Sequence, residues 1–125
     1  MNTRMEIFKG NFVDLNYMSS ICDGDIQFMI EMVETFLKDA PVITKEMTTL
    51  SKNNDWIKVS NLAHKFKTSL MFMGIESLHS VIREIEKNGQ EMVNVSSIPP
   101  LVDQVSETCI KASQELSGFL NKYST

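Results

Sequence analysis

Glycine and proline are scarce in this chain, five and three among 125 residues. A many-turned β fold draws heavily on both, so their scarcity argues against an all-β architecture. Cysteine is scarcer still. Cys22 and Cys109 stand alone, with no CxxC pair or Cys/His cluster, so neither a zinc site nor a disulfide framework is supported. The two histidines, His64 and His79, lie fifteen residues apart across an expected helix break, which is poor metal-ligand spacing. There is no basic excess: 12 Lys and Arg against 16 Asp and Glu leave a net charge of −4. That balance argues against a broad nucleic-acid face. No run approaches the ~20 apolar residues of a membrane span. Met1 to Gly10 lacks the apolar stretch of a signal peptide. No Gly-rich or Walker-type loop is present to cradle ATP. The expectation is a reduced, cytoplasmic protein without membrane insertion.

What the chain does have is ordinary globular composition, 42% hydrophobic and 22% charged, in a length that fits one domain over residues 1–125. Phe12 to Ile21 reads as a short apolar segment of one or two helical turns. Asp23-Gly24-Asp25 offers capping residues before a helical stripe of Ile26, Met29, Ile30, Val33, Phe36 and Leu37. Pro41 marks the end of that stripe and suits the first turn of a further segment, Val42 to Lys52. Asn53-Asn54-Asp55 is a break, and the next helix runs from Trp56 to Met73, ended by Gly74 in a left-handed cap. Leu78, Ile82 and Ile85 define another helix, closed by Asn88-Gly89. Gln90 to Pro100 reads as a longer loop before a last helix whose inward residues include Val105, Cys109, Ala112 and Leu116. Short links favour antiparallel neighbours. The expected fold is therefore all-α, an antiparallel four-helix bundle with a short additional N-terminal helix.

The functional argument starts on the Trp56–Met73 helix. At about 100° per residue, Val59, Leu62, Ala63, Phe66, Ser69, Leu70 and Met73 share one side. His64, Lys67, Thr68 and Met71 fall on the other, with Ser60 and Asn61 one turn earlier. A histidine that faces away from the core is available for chemistry. A neutral imidazole is a competent nucleophile that can take up a phosphoryl group. Lys67, at i+3, can reach phosphoryl oxygens with its ammonium. Thr68, at i+4, is small and brings a hydroxyl that can hydrogen-bond the phosphoryl group or the ring. Lys65 lies about 100° around the helix and is a weaker second contributor.

Ala63-His64-Lys65-Phe66-Lys67-Thr68-Ser69, then Gly74, then Leu78-His79-Ser80-Val81-Ile82-Arg83-Glu84-Ile85-Glu86 resembles a known pattern. It is A-H-x-[LF]-K-G-[SA], Gly, L-x-x-x-C-x-x-L-E, found in histidine-containing phosphotransfer (HPt) domains of multistep two-component phosphorelays. Gly24-Asp25-Ile26-Gln27-Phe28-Met29, Phe36-Leu37-Lys38-Asp39-Ala40-Pro41 and Asn54-Asp55-Trp56 resemble further family segments in the same order, so the likeness covers about residues 12–119. It implies His64 as phosphoacceptor and Lys67 as the charge-compensating lysine. The family glycine after that lysine is Thr68 here, which predicts an altered docking fit. The partners implied are response-regulator receiver domains or a hybrid sensor histidine kinase, docking onto Phe28, Met32, Ile57, Lys65 and Met71. No cofactor or metal is expected on this chain, because magnesium belongs to the partner receiver. A monomer suffices for such docking.

Other residues read more plainly. His79 is a surface or half-buried side chain, Glu84, Glu86 and Glu91 a solvated charged edge, and Cys109 an inert core thiol. The leading expectation is a phosphocarrier without kinase activity of its own. The alternative is a binding module that docks a receiver or kinase and inhibits it without turnover. An unrelated enzyme using the same histidine lacks a second acid, base or ligand at workable spacing.

Overall fold

The computed structural model describes residues 8–123. Five helices follow one another: α1 (Asn16–Ile21), α2 (Ile26–Lys52), α3 (Trp56–Phe72), α4 (His79–Glu91) and α5 (Ile98–Tyr123). Helices α2 to α5 form an antiparallel four-helix bundle, with α1 as the short extra helix. The closest neighbours are α3 with α4 and α2 with α5. Among the described residues there is no strand, only an isolated bridge between Lys9 and Asp14. Among the described residues, no helix is long and apolar enough to cross a membrane.

The apolar stripes behave as their spacing requires. Met29, Ile30, Val33 and Phe36 of α2, Val59, Ala63, Phe66 and Leu70 of α3, and Val105, Cys109, Ala112 and Leu116 of α5 are all buried. Burial pushes the Cys109 thiol up to about 12, consistent with an unreactive core residue. Asp25 caps α2, accepting from the Phe28 N–H at 3.2 Å. Asp55 makes no such side-chain bond and pairs instead with Lys58 at 3.7 Å. Gly74 has φ +66, and an added Cβ would stand 1.9 Å from the Asp14 carbonyl oxygen, so both the turn and the passing chain require glycine.

Three boundaries differ from the sequence expectation. Helix α2 runs straight through Pro41 to Lys52 instead of ending there. Pro41 is exposed while Phe36, Ala40 and Met47 are buried, so one continuous packed face holds both halves together and the missing N–H is tolerated at the surface. Helix α4 does not close at Asn88-Gly89, both of which are buried within it. It stops at Met92, in the left-handed conformation at φ 56. Most of Gln90 to Pro100 is helical rather than loop: a 3₁₀ turn spans Val95–Ser97 and α5 begins at Ile98. Pro99 and Pro100 sit in the first turn of α5, where a backbone N–H has no intrahelical partner to lose.

Candidate functional site

The rotation of α3 is set by Phe66, which is 2% exposed and stacks on Phe36 of α2 with centroids 6.0 Å apart and planes 5° from parallel. With that anchor inward, His64 two residues earlier turns outward, and its side chain is 64% exposed. Lys67 follows one turn later at 41%. Thr68 and Lys65 are exposed, as are Met71 and Ile57. Ile57, His64 and Met71 are seven residues apart and therefore lie along one stripe.

Ser60 departs from the expected polar face. It is 1% exposed, because α4 arrives on that flank, and its hydroxyl donates to the main-chain oxygen of Glu86 at 2.7 Å. The close approach has a steric cause. A Cβ on Gly89 of α4 would stand 2.6 Å from the Trp56 carbonyl oxygen and 2.9 Å from the Ser60 Cβ, so glycine lets the two helices meet.

That contact brings in a residue the sequence reading left on a solvated edge. One carboxylate oxygen of Glu86 is hydrogen-bonded to Nδ1 of His64, and the other accepts from Nζ of Lys67 at 3.1 Å. The Glu86 side chain is only 26% exposed. Partial burial raises its carboxyl pKa and is the largest single influence. Hydrogen bonds from His64 and Lys67, with the charge of each, outweigh it and leave the pKa below the ordinary 4.5. Glu86 is thus a carboxylate near neutral pH and can only accept, so the proton of this contact lies on Nδ1. The signal for Glu86 was present as the last residue of the Leu78-to-Glu86 pattern, one position past the buried Ile85.

The remaining candidates separate into two surfaces. Lys67, Thr68 and Met71 border a cavity of about 620 Å³ that reaches Tyr17 of α1 and His79 of α4. Phe28 and Met32 border a different groove, of about 270 Å³, between α2 and α3 beside Ser69 and Phe72. The structure therefore joins His64 and Lys67 through the Glu86 carboxylate, and sets Phe28 and Met32 on a groove that none of these three lines. Among the described residues, no three His, Cys, Asp or Glu side chains gather as a metal ion would need.

The family model of the Hpt domain matches residues 31–115, which span most of α2 through most of α5 and include His64, Lys67 and Glu86. The chain belongs to the Hpt domain family. Hpt domains act in two-component phosphotransfer as carriers rather than kinases, and they work with receiver domains or histidine kinases. Among solved structures, this Hpt domain is similar to the HPT domain from the Hpt sensor hybrid histidine kinase from Shewanella. The TM-score is 0.79 at 16% identity, over 90% of this chain and 97% of that one. At that identity the likeness is one of fold. No curated protein matches the chain. Helix α1 and Phe28 lie outside the matched residues, whereas the whole His64–Lys67–Glu86 cluster lies inside them.

Proposed function

We propose that this Hpt domain is a phosphorelay intermediate, carrying a phosphoryl group on His64 between receiver-domain aspartates. The donor is a receiver, free or part of a hybrid sensor kinase, and the acceptor is a response regulator. The observation that carries this reading is an exposed imidazole fixed by a carboxylate on one nitrogen, with an ammonium one turn away. A ring nitrogen of His64 attacks the phosphorus of an aspartyl phosphate. An N–P bond forms, the P–O bond breaks, and its electron pair leaves with the receiver carboxylate. Onward transfer runs the same exchange toward a second aspartate.

Lys67 compensates the incoming charge, and the Thr68 hydroxyl is within a turn of the ring to hydrogen-bond it. Ile57, Lys65 and Met71, with Phe28 and Met32 across the α2–α3 groove, form the docking surface. Exposed methionine and aromatic side chains there suit adaptable contacts. Magnesium is needed on the receiver. The domain functions as a single cytoplasmic unit and needs no second copy of itself for this docking.

Phosphoryl transfer from a phosphorylated receiver, compared between the natural protein and His64→Gln, tests the reading. An acid-labile label on the natural protein alone is the expected result. Measurable docking without any label, over several receivers, would replace the carrier with an inhibitory binding module.

A further inference from the structure

The two most exposed large hydrophobic side chains among the described residues lie away from His64. They are Val42 of α2, at 65%, and Ile110 of α5, at 61%. Both belong to the α2–α5 flank, across the bundle from the α3–α4 flank that holds His64 and Glu86. Ile110 lines a groove of about 420 Å³ there, with Pro41 and Thr44 of α2 and Ser106 and Ser113 of α5. Val42 stands beside Pro41 at its outer edge. No charged side chain lines the groove. Thr44 turns its hydroxyl back onto the Pro41 main-chain oxygen at 3.3 Å, so that donor is satisfied without water.

The rims are charged, and with opposite sign. Lys45 follows Thr44 and Glu107 follows Ser106, so the two stand at one height on opposite rims. Both are exposed, and among the described residues neither is in an ion pair within the chain. Lys38 and Lys52, each seven residues from Lys45, extend the basic rim along α2. Asp103, one turn before Glu107, extends the acidic rim along α5. What covers this flank must be apolar at its centre, acidic against α2 and basic against α5. A purely acidic segment would satisfy the lysines and set like charge against Asp103 and Glu107. The chain itself carries the required pattern. A two-fold axis parallel to the helices lays α2 of one copy over α5 of the other at equal height. Ile110 of each copy then meets Pro41 of the other, and Lys45 faces Glu107.

We propose that the α2–α5 flank is a homodimer interface, covered by a second copy of this chain about that axis. Both His64 faces stay outward, so each copy docks a receiver by itself. The inference does not rest on the carrier reading.

Sedimentation equilibrium of the whole chain at low salt, up to about 1 mM, tests it. The apparent mass should climb with concentration from 14.2 kDa toward twice that value. Ile110→Lys, at an exposed position that leaves the core intact, should weaken association more than about tenfold. Lys45→Glu and Glu107→Lys each set like charges face to face at two symmetry-related points, and each should weaken it about tenfold. The double variant restores opposite charges and should recover the natural association. Urea unfolding midpoints check that every variant is folded. A natural chain that stays at 14.2 kDa throughout overturns the proposal and leaves the flank to a different partner. A dimer that tolerates Ile110→Lys lies on another face and equally overturns it. Single reversals without effect, or without rescue in the double variant, overturn the pairing of the rims and with it the axis.

Discussion

Two glutamates on adjacent helices do opposite things with the same functional group. Glu115 of α5 accepts three backbone N–H groups, from Asn11, Phe12 and Val13 at 2.7, 2.8 and 3.1 Å. A Cβ on Gly10 would lie 2.2 Å from its Oε1, so the chain wraps the carboxylate closely. Glu86 of α4 instead accepts from the tips of two side chains, the exposed His64 and the half-exposed Lys67. Backbone donors have no freedom to leave and must be satisfied in place. The imidazole and ammonium tips have water as an alternative and, on the proposed carrier reading, an incoming phosphoryl group as another. The same carboxylate is therefore a staple when its donors belong to the main chain, and an exchangeable partner when they belong to movable side chains.

The comparison breaks first at Glu115. Glu115→Ala strips the acceptor from three N–H groups that tie residues 11–13 to α5, and should lower folding stability by about 3 kcal/mol. Urea unfolding reads that loss, while the initial rate of phosphoryl transfer to His64, measured where the variant is folded, should stay within about twofold. A stable variant, or a folded one that has lost transfer, would erase the distinction. Lys67→Ala should do the reverse. On the proposed carrier reading, losing the Lys67 charge should cost transfer on the order of tenfold to a hundredfold. The partly exposed Lys67–Glu86 pair contributes on the order of 1 kcal/mol or less to stability. Transfer kinetics and the unfolding midpoint of the same sample decide it.

How much of this was legible in the sequence depends on whether the answer lay within one helix or between two. The outward face of His64 and Lys67 followed from angular spacing along α3, since Phe66 and Ala63 could only point inward. The stripes of α2 and α5 were legible for the same reason. Ser60 was not, because its angle from the buried stripe says nothing about α4 arriving on that flank. Glu86 sits at the margin of the α4 stripe, next to Ile85, and whether such a glutamate meets water or a histidine depends on the neighbouring helix. Asn88-Gly89 read as a stop because that dipeptide commonly turns the chain, yet here glycine serves a close helix contact. Pro41 read as a boundary because its local cost is real, and the buried face of a 27-residue helix outweighs it.

The finest separation concerns acid. The Glu86 carboxyl lies below its ordinary 4.5 in the folded protein despite the raising effect of burial, because His64 and Lys67 favour the ionised form. A depressed folded value means that folding binds the carboxylate form in preference. Its contribution to stability is therefore complete above the unfolded value near 4.5 and is lost as pH falls through the lower folded value. The stability difference between the natural chain and Glu86→Gln should be level from neutral pH down to about 5, then narrow below that as the natural carboxyl takes up its proton. Urea unfolding at a series of pH values reads the difference directly. The effect is small, because a partly exposed carboxylate shares its charge with solvent. A difference that stays level to the lowest accessible pH would mean that His64 and Lys67 do not hold the carboxylate ionised. Glu86 would then be the solvated edge its sequence position suggests, and the contrast with Glu115 would reduce to one staple and one bystander.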